Sequence, residues 1–445
     1  MAMPLHAGQH GFPRPRFQFV FAMAVSGGGV LLALTLFWLL VTCQSRRFEC
    51  RPSTNGLAFQ MLESNIGRGQ GLEAGSGSLG LIELGIFQQA LRESIAHSND
   101  TAQRQKWSTI LDTSTSSAVG NLANATQDTE YPLDRLSVGT AMILQYQQFK
   151  NDSYLPTIKI LQDSVFHQPE NANGGLWYYN NVNNISAYHN LSYLDGMFSY
   201  APFAILSQAT NATSGVELLS ASGTLDQLQI LHNITKREDG LLVHGYDASK
   251  DHAWADLVTG ASPVVWGRAL SWYTLGVVNS LEFLLHHSSS AAVKHIRTLF
   301  NELIRAQLIA SDRSLQIEGS YGVWQVVDRP GVTFNGTKNF IEASATIMTA
   351  YSFLKGARLG LLDHELKLRA QTIGVGMFQT ARQRFLIENS NGTLSYNGTS
   401  VVCTLSGDVN YSYYVTRPTA LNALIGTSAF ILAGLEVERL CGQSY

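Results

Sequence analysis

The sequence predicts an all-α protein, an (α/α)6 toroid of six helical hairpins preceded by an N-terminal apolar helix. Three observations predict it. Helix-length segments recur along most of the 445 residues, separated by loops that contain Gly, Asn and Pro. Runs with strand periodicity are few and short, the best being 240–245 and 321–327. The helices also come in two alternating kinds. Residues 340–358 are apolar or small almost all round, as in a helix buried on both sides. Residues 363–386 carry Asp363, Glu365, Lys367, Arg369, Arg382 and Arg384, as an outer helix does. Inner and outer helices at about 60 residues per pair suit a closed ring, whereas an open solenoid would need a recurring consensus, and none is visible.

Taken in order, residues 1–18 are a short leader and 19–42 are free of charge, long enough to span a bilayer as a helix. Basic residues stand on both sides (Arg14 and Arg16 before; Arg46, Arg47 and Arg51 after), so charge alone does not orient the segment. A cleaved signal peptide and an uncleaved anchor both fit, and the long leader favours the anchor. Residues 43–76 read as a stalk ending in Gly67, Gly69, Gly71 and Gly75, and 77–445 as the helical domain. Its helices are expected at 78–95, 101–113, 134–149, 154–166, 190–208, 214–233, 264–287, 290–309, 340–358, 363–386 and 419–440.

Composition narrows the function classes. Apolar residues make up 45% of the chain and charged ones 14%, enough for a large core and too apolar for general disorder. A formal net charge of −3, with no Lys/Arg-rich run, gives no electrostatic case for nucleic acid. Asn-X-Ser/Thr occurs at Asn99, Asn124, Asn151, Asn184, Asn190, Asn211, Asn233, Asn335, Asn391, Asn397 and Asn410. Chance would give on the order of four, so an extracellular or lumenal body carrying N-glycans is expected. Cys43 belongs with the apolar segment, which leaves Cys50, Cys403 and Cys441; Cys50–Cys441 and Cys403–Cys441 are the two plausible pairings. No Cys or His spacing suggests a metal site, and no cofactor is expected.

Four clusters could carry chemistry, each near the start of an expected inner helix. The first is Tyr131 to Gly139, with Asp134 at a helix N-terminus, where its commonest task would be capping. The second joins Gly174-Gly-Leu-Trp-Tyr-Tyr179 to Asn190–Phe198. There Asp195 stands in apolar surroundings that penalise an unused carboxylate. The third runs from His244 to Trp272. Arg268 and Trp272 share a helix face, and with Trp266 they suit a planar anionic ring, a guanidinium for the carboxylate and indoles for the ring. The fourth pairs Tyr321-Gly-Val-Trp324 with Asn339–Ser344. Glu342 in it is either a structural hydrogen-bonding residue or a ligand to substrate.

In this order the clusters resemble the unsaturated rhamnogalacturonyl hydrolases of glycoside hydrolase family 105, especially fungal secreted members. The resemblance rests on Leu194-Asp-Gly-Met197, His244-Gly-Tyr-Asp247, Trp254-Ala-Asp256, Gly260 to Ala269 with its Trp266-Gly-Arg-Ala string, and Glu342-Ala-Ser-Ala345. It covers roughly residues 78–440. It implies a six-hairpin glycosidase that hydrates the 4,5-double bond of a terminal unsaturated uronic acid left by pectin breakdown. Asp195 matches the acid/base position and Asp134 the second active-site carboxyl. His244, Arg268, Trp266 and Trp272 match the uronate subsite, with Trp177, Tyr178, Trp324 and Glu342 as further substrate contacts.

One departure stands out. Many family members have Trp-His-Lys where this chain has Trp177-Tyr178-Tyr179, so two cationic contacts are missing. Tyr178 retains a hydroxyl that can donate a hydrogen bond. Two other functions compete. An inverting glycosidase on the same toroid, such as an α-mannanase, would more naturally show a close carboxylate pair such as adjacent Asp residues. A non-catalytic glycan-binding protein would keep the aromatic funnel without needing both Asp134 and Asp195.

Overall fold

The structure is a computed structural model that describes residues 56–75, 80–180, 185–208, 217–287 and 290–442. The expected leader and anchor (1–42) lie outside the described residues. Among those described, no helix is long and apolar enough to cross a membrane.

The helices are α1 (Leu57–Gly67), α2 (Gly80–His97), α3 (Thr101–Val119), α4 (Arg135–Phe149), α5 (Leu155–His167), α6 (Gly196–Ser207), α7 (Ala221–Thr235), α8 (Gly267–Phe283), α9 (Ala291–Glu318), α10 (Ala343–Arg358), α11 (His364–Arg384), the short α12 (Tyr411–Val415) and α13 (Leu424–Gly442). Packing sorts them into two rings. Helices α2, α4, α6, α8, α10 and α13 each pack on the next, and α13 returns to α2, closing the circuit. Outside them, α3, α5, α7, α9 and α11 each back the inner helix that precedes them, and α1 backs α13. The first and last hairpin elements are therefore adjacent.

Burial follows this arrangement. Every residue of α6 is buried, as is α10 from Ala343 to Ala357. On the outer helix α9, burial instead recurs at helical spacing through Val293, Ile296, Phe300, Leu303, Ile304 and Gln307. Close approach within the inner ring needs small residues. A Cβ at Gly276 of α8 would collide with the backbone of Met197 on α6.

The expected stalk is corrected. Helix α1 lies within it, and Leu57, Ala58, Met61 and Leu62 are part of the core. An eleven-residue amphipathic helix is easily hidden by the glycines that follow it. Two helix starts move for one reason, which is short strand pairing. Residues 191–193, expected as helix, form β1 (Leu191–Tyr193), antiparallel to β2 (Gly245–Asp247). Similarly, β4 (Thr419–Ala420) pairs with β3 (Thr399–Ser400) ahead of α13. The expected strands shrink in turn. In 240–245 only Gly245 enters a strand, and 321–327 makes isolated bridges to Trp266 and Ile341. Among the cysteines, Cys403 is a buried free thiol, so the Cys403–Cys441 pairing is excluded. Cys441 is disulfide-bonded.

Candidate active site

Backbone hydrogen bonds between the loops that precede the inner helices bring the four clusters to one end of the inner ring. Leu133 N–H donates to Tyr178, Tyr178 N–H to Leu191, and Leu194 N–H to the carbonyl of His244. His244 N–H donates to Val264, Gly267 N–H to Gln325 and Gln325 N–H to Phe340. Glu342 N–H closes back on Val323, and Ala343 N–H reaches Gly398. These bonds join neighbouring clusters or the separate strands of one cluster, so residues far apart in sequence converge on one mouth.

Side chains continue the same path. Tyr178 donates its hydroxyl to Asp134 Oδ2 at 2.7 Å and stacks on Tyr193 at 4.4 Å with the rings 5° from parallel. Tyr193 meets His244 edge-on at 5.3 Å, and His244 packs on Trp266 at 4.7 Å. The Arg268 guanidinium lies 5.2 Å from the Trp266 ring, and its Nη2 is 3.1 Å from Glu342 Oε1. His244 Nε2 is 3.3 Å from Asp195 Oδ2, but the two are not aligned as a hydrogen bond.

Neither aspartate caps its helix. Asp134 and Asp195 stand at the N-cap positions of α4 and α6 with helical backbone angles and no side-chain capping bond. Capping therefore does not explain Asp134. Burial pushes its carboxyl up to about 8, and the nearby charge of Asp195 adds to that, while the Tyr178 hydroxyl and Arg135 pull the other way. Asp134 Oδ1, Asp195 Oδ2, His244 Nε2 and Trp177 Nε1 are buried without a hydrogen-bond partner among the described residues. Buried polar atoms left unpaired are costly, and four of them around one mouth mark a place shaped for a ligand.

Several expected roles change. Glu342 is spent on structure: it caps α10 through Ala345 N–H and accepts from Ser344, Ser400 N–H and Arg268. Arg268 is engaged likewise, giving Nε to Ser344 and Nη2 to Glu342 and Ser400; among the described residues its Nη1 makes no hydrogen bond. Trp272 packs on Phe198 one helical turn below the mouth and belongs to the core. Trp324 is buried, with no ring contact to the cluster among the described residues. Trp177 is half-buried and stacks on His189 at 5.2 Å.

Sequence reading missed several members of the site. Tyr193, Tyr414, Gln325 and Ser400 all touch it. Glu83 on α2 is within electrostatic reach of Arg268, and burial raises its carboxyl. Tyr193 stood one residue before the Leu194-Asp195 motif. Ser400, in the strand Thr399–Ser400, and Tyr414, in α12, come from a C-terminal stretch with no motif of its own.

A double helical ring with a carboxyl pair at the starts of its inner helices, walled by aromatic rings, is a glycosidase architecture. The sequence profile of Glycosyl Hydrolase Family 88 matches residues 85–441, and the chain belongs to that family; it is a glycoside hydrolase. It is 32% identical over 211 residues to the 24.9 kDa protein in picA locus of Rhizobium radiobacter, covering 46% of this chain and 84% of that one. A family 105 glycoside hydrolase of C. acetobutylicum ATCC 824 shares the fold, with a TM-score of 0.71, 24% identity, 86% of this chain and 100% of the other. The unsaturated glucuronyl hydrolase of Bacillus sp. GL1 shares it with a TM-score of 0.61 and 12% identity, over 87% and 96%. Among the described residues, no cluster of His, Cys, Asp and Glu is grouped to hold a metal ion.

Proposed function

We propose that the enzyme hydrolyses oligosaccharides with a terminal 4,5-unsaturated uronic acid, of the kind left by lyase cleavage of pectin, by hydrating the double bond. The carrying observation is the pair Asp134 and Asp195, one buried and proton-holding, the other reaching the mouth, flanked by unpaired polar atoms. Hydration of a vinyl ether needs a proton delivered to C4 and a water guided to C5. In this reading the carboxyl pair holds the proton near neutral pH and Asp195 delivers it to C4. The cation formed at C5 is captured by water, whose proton returns to Asp195. The hemiketal then opens and releases the sugar.

The remaining residues take supporting roles. His244, Trp266 and Tyr178 line the uronate, and Arg268 acts on its carboxylate through Nη1 and through its charge. Trp177 adds a half-exposed aromatic wall. The solved relatives named for family 105 and for unsaturated glucuronyl hydrolysis support this chemistry by their shared fold. The absence of the cationic pair beside Trp177 argues that the accepted oligosaccharide differs from the simplest rhamnogalacturonan disaccharide.

We further propose an extracellular or lumenal location, secreted or held by residues 19–42. Nine of the eleven sequon asparagines lie in described segments and none is buried. At Asn124, Asn391, Asn397 and Asn410 the carboxamide oxygen accepts a backbone N–H, which leaves the nitrogen for a glycan. The decisive experiment is to incubate the enzyme with unsaturated uronyl oligosaccharides and follow the ultraviolet absorbance of the conjugated uronate. Loss of absorbance is expected. Unchanged absorbance across pectin- and glycosaminoglycan-derived substrates would refute the reading.

A further inference from the structure

We infer that Tyr414 is a positioning residue: its hydroxyl donates to His244 Nδ1 and so leaves the ring hydrogen on Nε2, the nitrogen that faces Asp195. The inference rests on the reading of Asp195 as the group that handles the proton.

Geometry carries it. Tyr414 Oη and His244 Nδ1 are 2.8 Å apart, and both residues are completely buried. Among the described residues the Tyr414 hydroxyl has no other acceptor, so its hydrogen is satisfied only if Nδ1 is the bare nitrogen. A neutral imidazole with a bare Nδ1 carries its hydrogen on Nε2. That atom is the one 3.3 Å from Asp195 Oδ2, and both are without a hydrogen-bond partner among the described residues. The opposite tautomer would waste the phenol hydrogen and set the Nε2 lone pair against a carboxylate oxygen. Two separate satisfaction arguments thus select one proton position.

The surroundings hold both rings. His244 is fixed by its own backbone bonds to Val264 and Leu194, by Trp266 on one side and by Tyr193 edge-on. Tyr414 is held through its carbonyl, which accepts from Gln325 Nε2, and Gln325 in turn accepts from Trp266 Nε1. The titratable groups acting on this pair are Asp195 from the start of α6, Tyr193 from β1, Cys403 from the C-terminal loop and Tyr413 from α12. With Nε2–H fixed, Asp195 Oδ2 faces a polar hydrogen at 3.3 Å and not a lone pair. That prepares it to release a proton to carbon and then to receive one from water. The role belongs to the short helix α12, which arrives more than 200 residues after Asp195 in the chain, and no motif announced it.

The test begins on the full chain without substrate. Nitrogen-15 spectra of the imidazoles, with His244 assigned by the signal lost in His244→Gln, report which nitrogen carries hydrogen. The expected result is Nε2–H as the dominant form at neutral pH; a dominant Nδ1–H form overturns the inference. In Tyr414→Phe the His244 signals should move toward a mixture of tautomers. Its kcat on an unsaturated uronide should fall roughly 10–100-fold with KM nearly unchanged, as for other partners that orient a working imidazole. Retention of a single Nε2–H form with unchanged kcat in Tyr414→Phe would equally overturn it. The tautomer measurement needs no substrate, so an enzyme inactive on unsaturated uronides would defeat the functional reading and leave this one to be judged by the spectra.

Discussion

The two ends of the inner ring treat buried titratable groups in opposite ways. At the mouth, Asp134, Asp195 and His244 keep polar atoms without partners. At the far end, near the last turns of the same helices, every charge is answered. Lys355 of α10, fully buried, gives Nζ to Glu282 at 2.8 Å, to Asn279 at 2.9 Å and to the Tyr351 hydroxyl at 2.8 Å. Glu93 of α2 receives Arg439 of α13 at 2.8 Å, and Glu436 receives Arg358 and Arg439. The far end ties four inner helices together, while the mouth stores unsatisfied groups for a ligand. A buried charge is a sign of function only where its partners are missing.

The contrast extends to pH. The charges of Lys355, Arg439 and Arg92 overcome burial and hold Glu93 down at about 2, below its ordinary 4.5. That end contributes stability above about pH 4.5, and the contribution is lost as pH falls toward 2. Asp134 is displaced the other way, from 3.8 to about 8, so its contribution is present in acid and is lost as pH rises from about 4 to 8. The far end should therefore weaken as pH falls below about 4.5, and the mouth as pH rises from about 4 to 8.

The comparison is broken most severely at the mouth. Asp195→Asn keeps the shape but cannot give a proton to carbon, so kcat should fall roughly 10²–10⁴-fold while binding of unsaturated uronide persists. Near-normal turnover in single-turnover kinetics would remove Asp195 from the chemistry. The far end should respond in stability instead. Lys355→Met leaves Glu282 and Glu93 buried without their cation and should cost about 3–5 kcal/mol in denaturant unfolding, with kcat of the folded fraction unchanged. A variant as stable as the wild type would show that the network is not a fastener.

How far the sequence revealed this contrast differs between the ends. The ring of alternating helices was legible because inner helices are apolar on all sides, and the carboxyl pair because each aspartate stands before an otherwise apolar helix. The mouth's inner wall was partly legible through the Trp266-Gly-Arg268 string. What pairing does to a residue was not. Arg268 and Glu342 lie 74 residues apart and meet only because α8 and α10 are neighbours in the ring. The far-end network was invisible for the same reason, since Glu93, Glu282, Lys355 and Glu436 stand singly in four helices. Helix α1 escaped because its burial depends on α13, at the other end of the chain.

At any one pH step a smaller change is expected from Asp134→Asn. Wild-type stability should fall by about 1.4 kcal/mol per pH unit at most between pH 4 and 8 from this group, and the amide should flatten that slope. Unfolding at several pH values measures the difference directly. Parallel curves for the two proteins would mean that Asp134 is ionised at neutral pH and that the mouth does not store a proton there.

The smallest change tests the residue that replaces a cationic contact. Tyr178 gives Asp134 Oδ2 a hydrogen bond that favours the ionised carboxylate, opposing burial. Tyr178→Phe removes that bond and leaves the stack on Tyr193 in place. The Asp134 carboxyl should rise further, by about one unit, since a hydrogen bond to a charged group contributes about 1.5–3 kcal/mol and the remaining charges absorb part of it. Loss of the Asp134 proton should set the alkaline fall in activity near pH 8, so in Tyr178→Phe that fall moves to higher pH, with kcat at neutral pH changed less than about tenfold. A limb that stays in place would separate Tyr178 from the proton inventory. A limb that moves to lower pH would reverse the sign of its bond to Asp134, making the carboxyl the donor and the phenol oxygen the acceptor.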